Sequence, residues 1–144
     1  MLASRPFDFE AFVQKAGDAI VAAGADGSIL LWNHAAERIF GYTEEEALGH
    51  SLNLIIPERL RARHWEGYRA VMRTGETRYA AEVLRVPAVH RDGRRLSIAF
   101  TVTLLYPSTG EIQAIVAIIR DETSRWEQER ELRQRIAELE TKNK

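Results

Sequence analysis

The sequence predicts an α+β fold in which a strand hairpin and a three-stranded antiparallel meander are separated by short helices and flanked by a helix at each end. Three observations carry this reading. Asp26-Gly27 stands between two short apolar runs, and that dipeptide suits the positive backbone angles of a tight hairpin. Leu96, Ile98, Phe100, Val102 and Leu104 alternate with Arg95, Ser97, Ala99, Thr101 and Thr103, the period of a half-buried strand. Between these regions, cap and stop residues delimit successive helices.

Taken in order, Phe7-Asp8-Phe9-Glu10-Ala11-Phe12-Val13 places aromatics at helical spacings, so a flanking amphipathic helix is expected up to Gly17. Ala19-Ile20-Val21-Ala22 and Ile29-Leu30-Leu31-Trp32 supply the hairpin strands. Asn33 is placed to cap a helix from His34 to Phe40, which Gly41 ends. Thr43-Glu44-Glu45-Glu46 matches a capping box, and Gly49 stops the short helix that follows. Pro57, Glu58 and Gly75 bracket a longer helix over residues 59–74, with an inward stripe of Leu60, His64, Tyr68, Val71 and Met72.

The meander is expected to run from a strand over residues 79–89, through Asp92-Gly93, to the alternating strand. Pro107-Ser108-Thr109-Gly110 then turns it into a strand over residues 112–119. Pro87 has no backbone donor, which places its strand at a sheet edge or a bulge. From Asp121 onward charged helix formers dominate, with Leu132, Ile136 and Leu139 at the d, a and d positions of a coiled coil spanning little more than one heptad. The division is therefore a flanking helix (1–16), a core (17–122) and a C-terminal coiled-coil helix (123–144).

At 144 residues the chain holds one domain. Its 20 basic and 21 acidic residues leave a formal charge of −1, without the positive field that nucleic-acid binding needs. No apolar run approaches the roughly 20 residues of a membrane helix, and Met1-Leu2-Ala3-Ser4-Arg5-Pro6 has no signal-peptide core. A cytoplasmic chain with neither nucleic-acid nor membrane partners is expected. The absence of cysteine removes disulfides, thiolate metal sites and cysteine nucleophiles. No nucleophile-elbow, P-loop, dinucleotide or H-E-x-x-H motif occurs, so no enzymatic activity is expected. His34, His50 and His90 lie far apart in cap or turn regions and are expected to be solvated. The run Glu44-Glu45-Glu46 reads as a helix start that suits the local dipole.

The stretch Asp26-Gly27-Ser28-Ile29-Leu30-Leu31-Trp32-Asn33-His34-Ala35-Ala36-Glu37-Arg38-Ile39-Phe40-Gly41-Tyr42, continuing to Glu45 and Gly49, resembles a PAS domain. That family packs a five-stranded antiparallel sheet against small helices around an internal pocket, and the likeness covers roughly residues 9–123. Arg91-Asp92-Gly93 is similar to the family's second hairpin turn. Asp121-Glu122-Thr123 is similar to its D-x-T junction with a signalling helix. The resemblance implies a sensor: an event in the pocket shifts the meander, and Asp121 with Thr123 passes the shift to the C-terminal helix. It also implies a small-molecule or gas ligand and a downstream effector domain or protein. A homodimer is expected because Phe7, Phe9, Phe12, Leu132, Ile136 and Leu139 would otherwise be exposed.

The family's photochemical flavin branch depends on a reactive cysteine, which this chain lacks. FAD needs mainly an apolar pocket, to which Trp32 and Trp65 are candidates, and it ranks behind haem b. Haem-binding members take an axial histidine from the long helix before the third strand, and His64 stands on that helix. The resemblance thus implies His64 as candidate iron ligand, with Tyr68 and Met72 on the same stripe and Met72 able to approach the iron. Trp32, Leu84, Phe100, Val102, Ile115 and Ala117 are the candidate walls. Oxygen-sensing members carry the ligand further along, where residues 71–78 of this chain hold no histidine, so ligation by His64 would be a variant geometry. Without a C-x-x-C-H motif any haem is noncovalent. A rival reading is a ligand-free dimerisation module in which His64 is a core histidine bonded to a carbonyl or to the Tyr68 hydroxyl. Another makes Tyr68 and His64 an acid–base pair of a small-molecule enzyme.

Overall fold

The structure, a computed structural model, describes residues 6–107 and 112–143. Five strands, β1 (Ala19–Ala23), β2 (Ile29–Trp32), β3 (Leu84–Val89), β4 (Arg95–Leu105) and β5 (Ala114–Asp121), form one antiparallel sheet in the order β2-β1-β5-β4-β3. Pairing of β5 with β1 joins the N-terminal hairpin to the C-terminal meander. The helices are α1 (Phe9–Lys15), α2 (His34–Phe40), α3 (Glu44–Ala47), α4 (Arg61–Thr74) and α5 (Thr123–Lys142).

Register decides which residues share a face, because strand side chains alternate. Phe100 lies opposite Leu84 and Ile119, Val102 opposite Ala117, and Leu104 opposite Ile115. Val21 lies between Ala117 and Trp32. These residues define the inner face, and part of it is sealed by α2. Trp32, Ala35, Ala36, Ile39, Phe40, Leu96, Ile98 and Ile119 form the buried core there. β3 pairs only with β4, so Pro87 does lie on an edge strand.

Among the described residues Asn33 is the one buried polar side chain of the core. Its Oδ1 accepts from Ala36 N (3.1 Å), capping α2, and from Ile20 N (2.9 Å) on β1. Its Nδ2 donates to Val13 O (2.9 Å) and Asp18 O (3.1 Å). A residue legible only as a helix cap therefore also binds α1 to the sheet. The Thr43/Glu46 capping box is present, and Gly41 ends α2 in the left-handed region at φ 86°.

Several expected boundaries are corrected. The strand placed over residues 79–89 begins at Leu84, since Thr77 caps a 3-10 turn at Arg78–Ala80 by accepting from Tyr79 N (3.2 Å). The long helix begins at Arg61, preceded by a 3-10 turn at Glu58–Leu60. α1 ends at Lys15, short of Gly17. The last strand runs from Ala114 instead of Ile112 and extends to Asp121. Residues 108–110 of the expected Pro107–Gly110 turn lie outside the described residues. Ala99 is buried on the outer face, so β4 is covered on both sides at that point.

Candidate functional site

The helix carrying His64 is seated by side-chain tethers. Arg61 donates from Nε to Ile56 O (3.1 Å) and from Nη2 to Asn53 O (3.2 Å). Trp65 Nε1 donates to Asn53 Oδ1 (2.8 Å), and the Tyr68 hydroxyl donates to Gly24 O (2.5 Å). At the far end the Tyr106 hydroxyl donates to Gly75 O (3.3 Å). The Trp65 ring rests so closely on Gly27, itself at φ +80°, that a Cβ there would collide with it. The Asp26-Gly27 turn thus seats α4 as well as turning the hairpin, a role hairpin signals alone do not reveal.

His64 lies beside both aromatics, its ring centroid 4.6 Å from Trp65 and 5.8 Å from Tyr68. Its Nδ1 is buried and has no hydrogen-bond partner among the described residues. Burial pushes the imidazole below its ordinary pKa, so it is neutral at pH 7. A carbonyl or the Tyr68 hydroxyl was the partner expected of a core histidine. The structure supplies neither, because that hydroxyl is committed to Gly24. Burial, with the Asp26 carboxylate adding to it, pushes Tyr68 up to about 12. Committed to Gly24 O and firmly protonated, it is poorly placed to exchange a proton with the imidazole.

Of the inward stripe on this helix only Tyr68 is buried; Leu60, His64, Val71 and Met72 are half-buried. The same holds on the sheet, where Leu84, Phe100, Val102, Ile115 and Ala117 share the inner face and are all half-buried. Trp32 separates from this group. It is fully enclosed, its ring 5.4 Å from Phe40 and its Nε1 donating to Tyr42 O (3.0 Å), so it belongs to the packed core under α2. His34 and His50 are exposed as expected. His90 is not solvated: it is half-buried against Gly41, and its Nδ1 accepts from Asp92 N (3.1 Å). Among the described residues no group of three or more His, Asp or Glu side chains is arranged to hold a metal ion, and no helix is long and apolar enough to cross a membrane.

At the other end of the sheet, β5 passes into α5 through a compact knot. Asp121 Oδ1 accepts from Thr123 N (2.9 Å) and from the Thr123 hydroxyl (2.5 Å). Thr123 Oγ1 accepts from Ser97 N (3.0 Å), and Glu122 N donates to Ser97 O (2.8 Å). The motif predicted Asp121 and Thr123; Ser97, the β4 residue they grip, carries no sequence signal of its own. Phe7, Phe12, Leu132, Ile136 and Leu139 are each more than half exposed.

The chain is 31% identical over 128 residues to the sensor protein FixL of Bradyrhizobium diazoefficiens, covering 85% of this chain and 24% of that protein. It is 26% identical over 116 residues to the oxygen sensor protein DosP of Escherichia coli, covering 81% of this chain and 14% of that protein. It thus spans less than a quarter of the length of either. Its fold superposes on the crystal structure of a PAS domain from Colwellia psychrerythraea with a TM-score of 0.70 at 21% identity, covering 81% of this chain and 95% of that one. The model of the PAS fold matches residues 8–121. Sheet order, helices and sequence agree, and the chain belongs to the PAS family.

Proposed function

We propose that this PAS domain is a sensory input module whose signal is a small organic molecule held between α4 and the inner face of the sheet, with α5 as its output. The observation that carries the reading is His64 Nδ1, a buried polar atom without a hydrogen-bond partner among the described residues. Leaving such an atom unsatisfied costs about 1–3 kcal/mol. A ligand that hydrogen-bonds there recovers that cost while its apolar part covers Phe100, Val102 and Ala117. Because only a ligand that distinguishes two states shifts their balance, the output requires that β4 move with the ligand. Ser97 follows β4 and carries Thr123 with it.

Haem b is the more specific version, and similarity to an oxygen sensor speaks for testing it. The site does not fit it. The interior-facing nitrogen is Nδ1, which adjoins the ring carbon bearing Cβ, so a macrocycle bound there would meet the histidine's own side-chain base. With Nε2 as ligand instead, Nδ1 would need the acceptor that normally orients a ligating imidazole, and it has none. Met72 is half-buried, and nothing in its surroundings distinguishes it from core filler. FAD ranks behind haem.

The ligand-free dimerisation module remains as a second reading because the aromatic ridge of α1 and the apolar stripe of α5 are exposed. One preparation separates the readings. Native mass spectrometry and absorption spectroscopy of freshly purified protein should give a colourless species with an extractable small molecule that is lost in His64→Ala. A sharp Soret band saturating at one equivalent of haemin and abolished by His64→Ala would replace this reading with haem sensing. A colourless protein without extractable ligand would favour the dimerisation module.

A further inference from the structure

The exposed side of α4 carries Arg63, Glu66, Arg69 and Arg73, which follow one another at steps of three or four residues and so form one stripe along the helix. A stripe of α5 carries Glu127, Glu131, Arg135 and Glu138 in the same way. All of these side chains are exposed, and among the described residues none makes an ion pair or a hydrogen bond. Read from its N-terminus, the stripe of α4 runs plus, minus, plus, plus. Read from its C-terminus, the stripe of α5 runs minus, plus, minus, minus. The geometry points to these stripes as the two sides of one interface, in which α5 of a second copy of the chain lies antiparallel along α4.

Spacing matches as well as sign. At a rise of about 1.5 Å per residue, Glu66, Arg69 and Arg73 stand about 4.5, 9 and 15 Å beyond Arg63. Counted back from Glu138, the positions Arg135, Glu131 and Glu127 stand about 4.5, 10.5 and 16.5 Å away. Arg63 therefore meets the second copy's Glu138, Glu66 its Arg135, Arg69 its Glu131 and Arg73 its Glu127, with no pair more than about 1.5 Å out of step. Laid parallel, the same stripes set Glu66 beside Glu131 and Arg69 beside Arg135, and like charges oppose that orientation. A two-fold axis repeats the contact, so each α4 receives the other copy's α5. The exposed apolar residues of α1 and α5 call for association without saying which charged faces meet. Exposed ion pairs add little affinity each, so this set fixes orientation and register. The contact lays α5 of one copy along the helix that carries His64 in the other, and it stands or falls independently of any ligand held there.

The test is sedimentation equilibrium of the full chain at low and high salt, beside three charge-reversed variants whose folding is checked by thermal melts. The parent's self-association should weaken as salt rises from about 0.05 to about 0.5 M, because exposed pairs are screened. Arg69→Glu with Arg73→Glu should weaken it at least about tenfold at low salt, and Glu127→Arg with Glu131→Arg should do the same. All four substitutions in one chain set opposite charges across the interface again and should return the affinity to within about threefold of the parent, a rescue that separate structural effects of the two pairs would not give. A parent that is monomeric at micromolar concentration, a reversed pair that leaves association unchanged, or a fourfold variant no tighter than the two twofold ones would overturn the proposal.

Discussion

Replacing Asp121 by alanine isolates the junction that the signalling reading depends on. The carboxylate accepts two hydrogen bonds from Thr123, one from its backbone N–H and one from its hydroxyl, and so performs the capping that α5 lacks, since Glu122 makes no side-chain cap. Water reaches this exposed position, so the loss belongs with helix-cap deletions at about 1 kcal/mol, range about 0.5–2. A free energy of about 0.5–2 kcal/mol changes an opening equilibrium by about 2–30-fold. Hydrogen exchange at Thr123 N and Trp126 N, the latter bonded to Glu122 O at 2.9 Å, should quicken by that factor, while amides of α2 keep their rates. Asp121→Asn retains the acceptor oxygen and should restore most of the protection. Unchanged exchange at both amides in Asp121→Ala, with the ligand response intact, would refute the argument that this carboxylate couples strand to helix.

Further outcomes are expected for substitution, pH and truncation. Tyr68→Phe leaves Gly24 O without its donor and should lower stability by about 1–3 kcal/mol in urea unfolding. Because burial raises the folded Tyr68 pKa to about 12 from 10.0, the native state holds that proton longer, so stability should fall as pH rises from 10 to 12, and Tyr68→Phe should flatten this decline in thermal melts. His64 has the opposite sign: its folded pKa is depressed below 6.5, so its contribution is present above pH 6.5 and lost as pH falls through the folded value, a slope that His64→Phe should remove. Gly27→Ala should destabilise by more than the roughly 1–2 kcal/mol of a left-handed alanine, since Trp65 must also move. Gly49→Ala, at φ 83° with nothing near its Cβ position, should show the backbone cost alone. Sedimentation should find a dimer at micromolar concentration, and truncation before Phe12 should weaken it more than removal of residues 140–144.

What was legible in the sequence was what local chemistry determines. Asn33, Gly41 and the Thr43/Glu46 box delimit their helices as expected because each cap bonds within three or four residues of itself. Pro87 reveals an edge because a missing donor matters wherever the strand ends up. The errors fall where local signals compete. Residues 79–83 have strand-like composition, yet Thr77 supplies a 3-10 cap that draws Arg78–Ala80 out of the sheet. Alternation suggests Leu84, Phe100, Val102, Ile115 and Ala117 as candidate walls, and the register puts them on one face without showing what they hold. Trp32 shows the limit of that rule, since it faces the same way but lies under α2, and a face does not say what covers it.

The contacts that give the site its character join residues distant in the chain. Tyr68 reaches back to Gly24, Trp65 to Gly27 and Asn53, and Ser97 forward to Thr123. No periodicity announces them, because the fold and not the local sequence brings each pair together. In the proposed sensory reading, the pairing of β4 with β5 makes β4 the natural transmitter. Ile98 and Phe100 point into the face that a ligand would touch, while Ser97, one residue away, turns its backbone N–H and C=O to the junction. A strand translates as a unit because its ladder bonds to β3 and β5 resist bending between adjacent residues. On the proposed reading, a displacement at Phe100 would reach Thr123 through three residues of one strand and a single hydrogen bond, with no chain of side-chain contacts required.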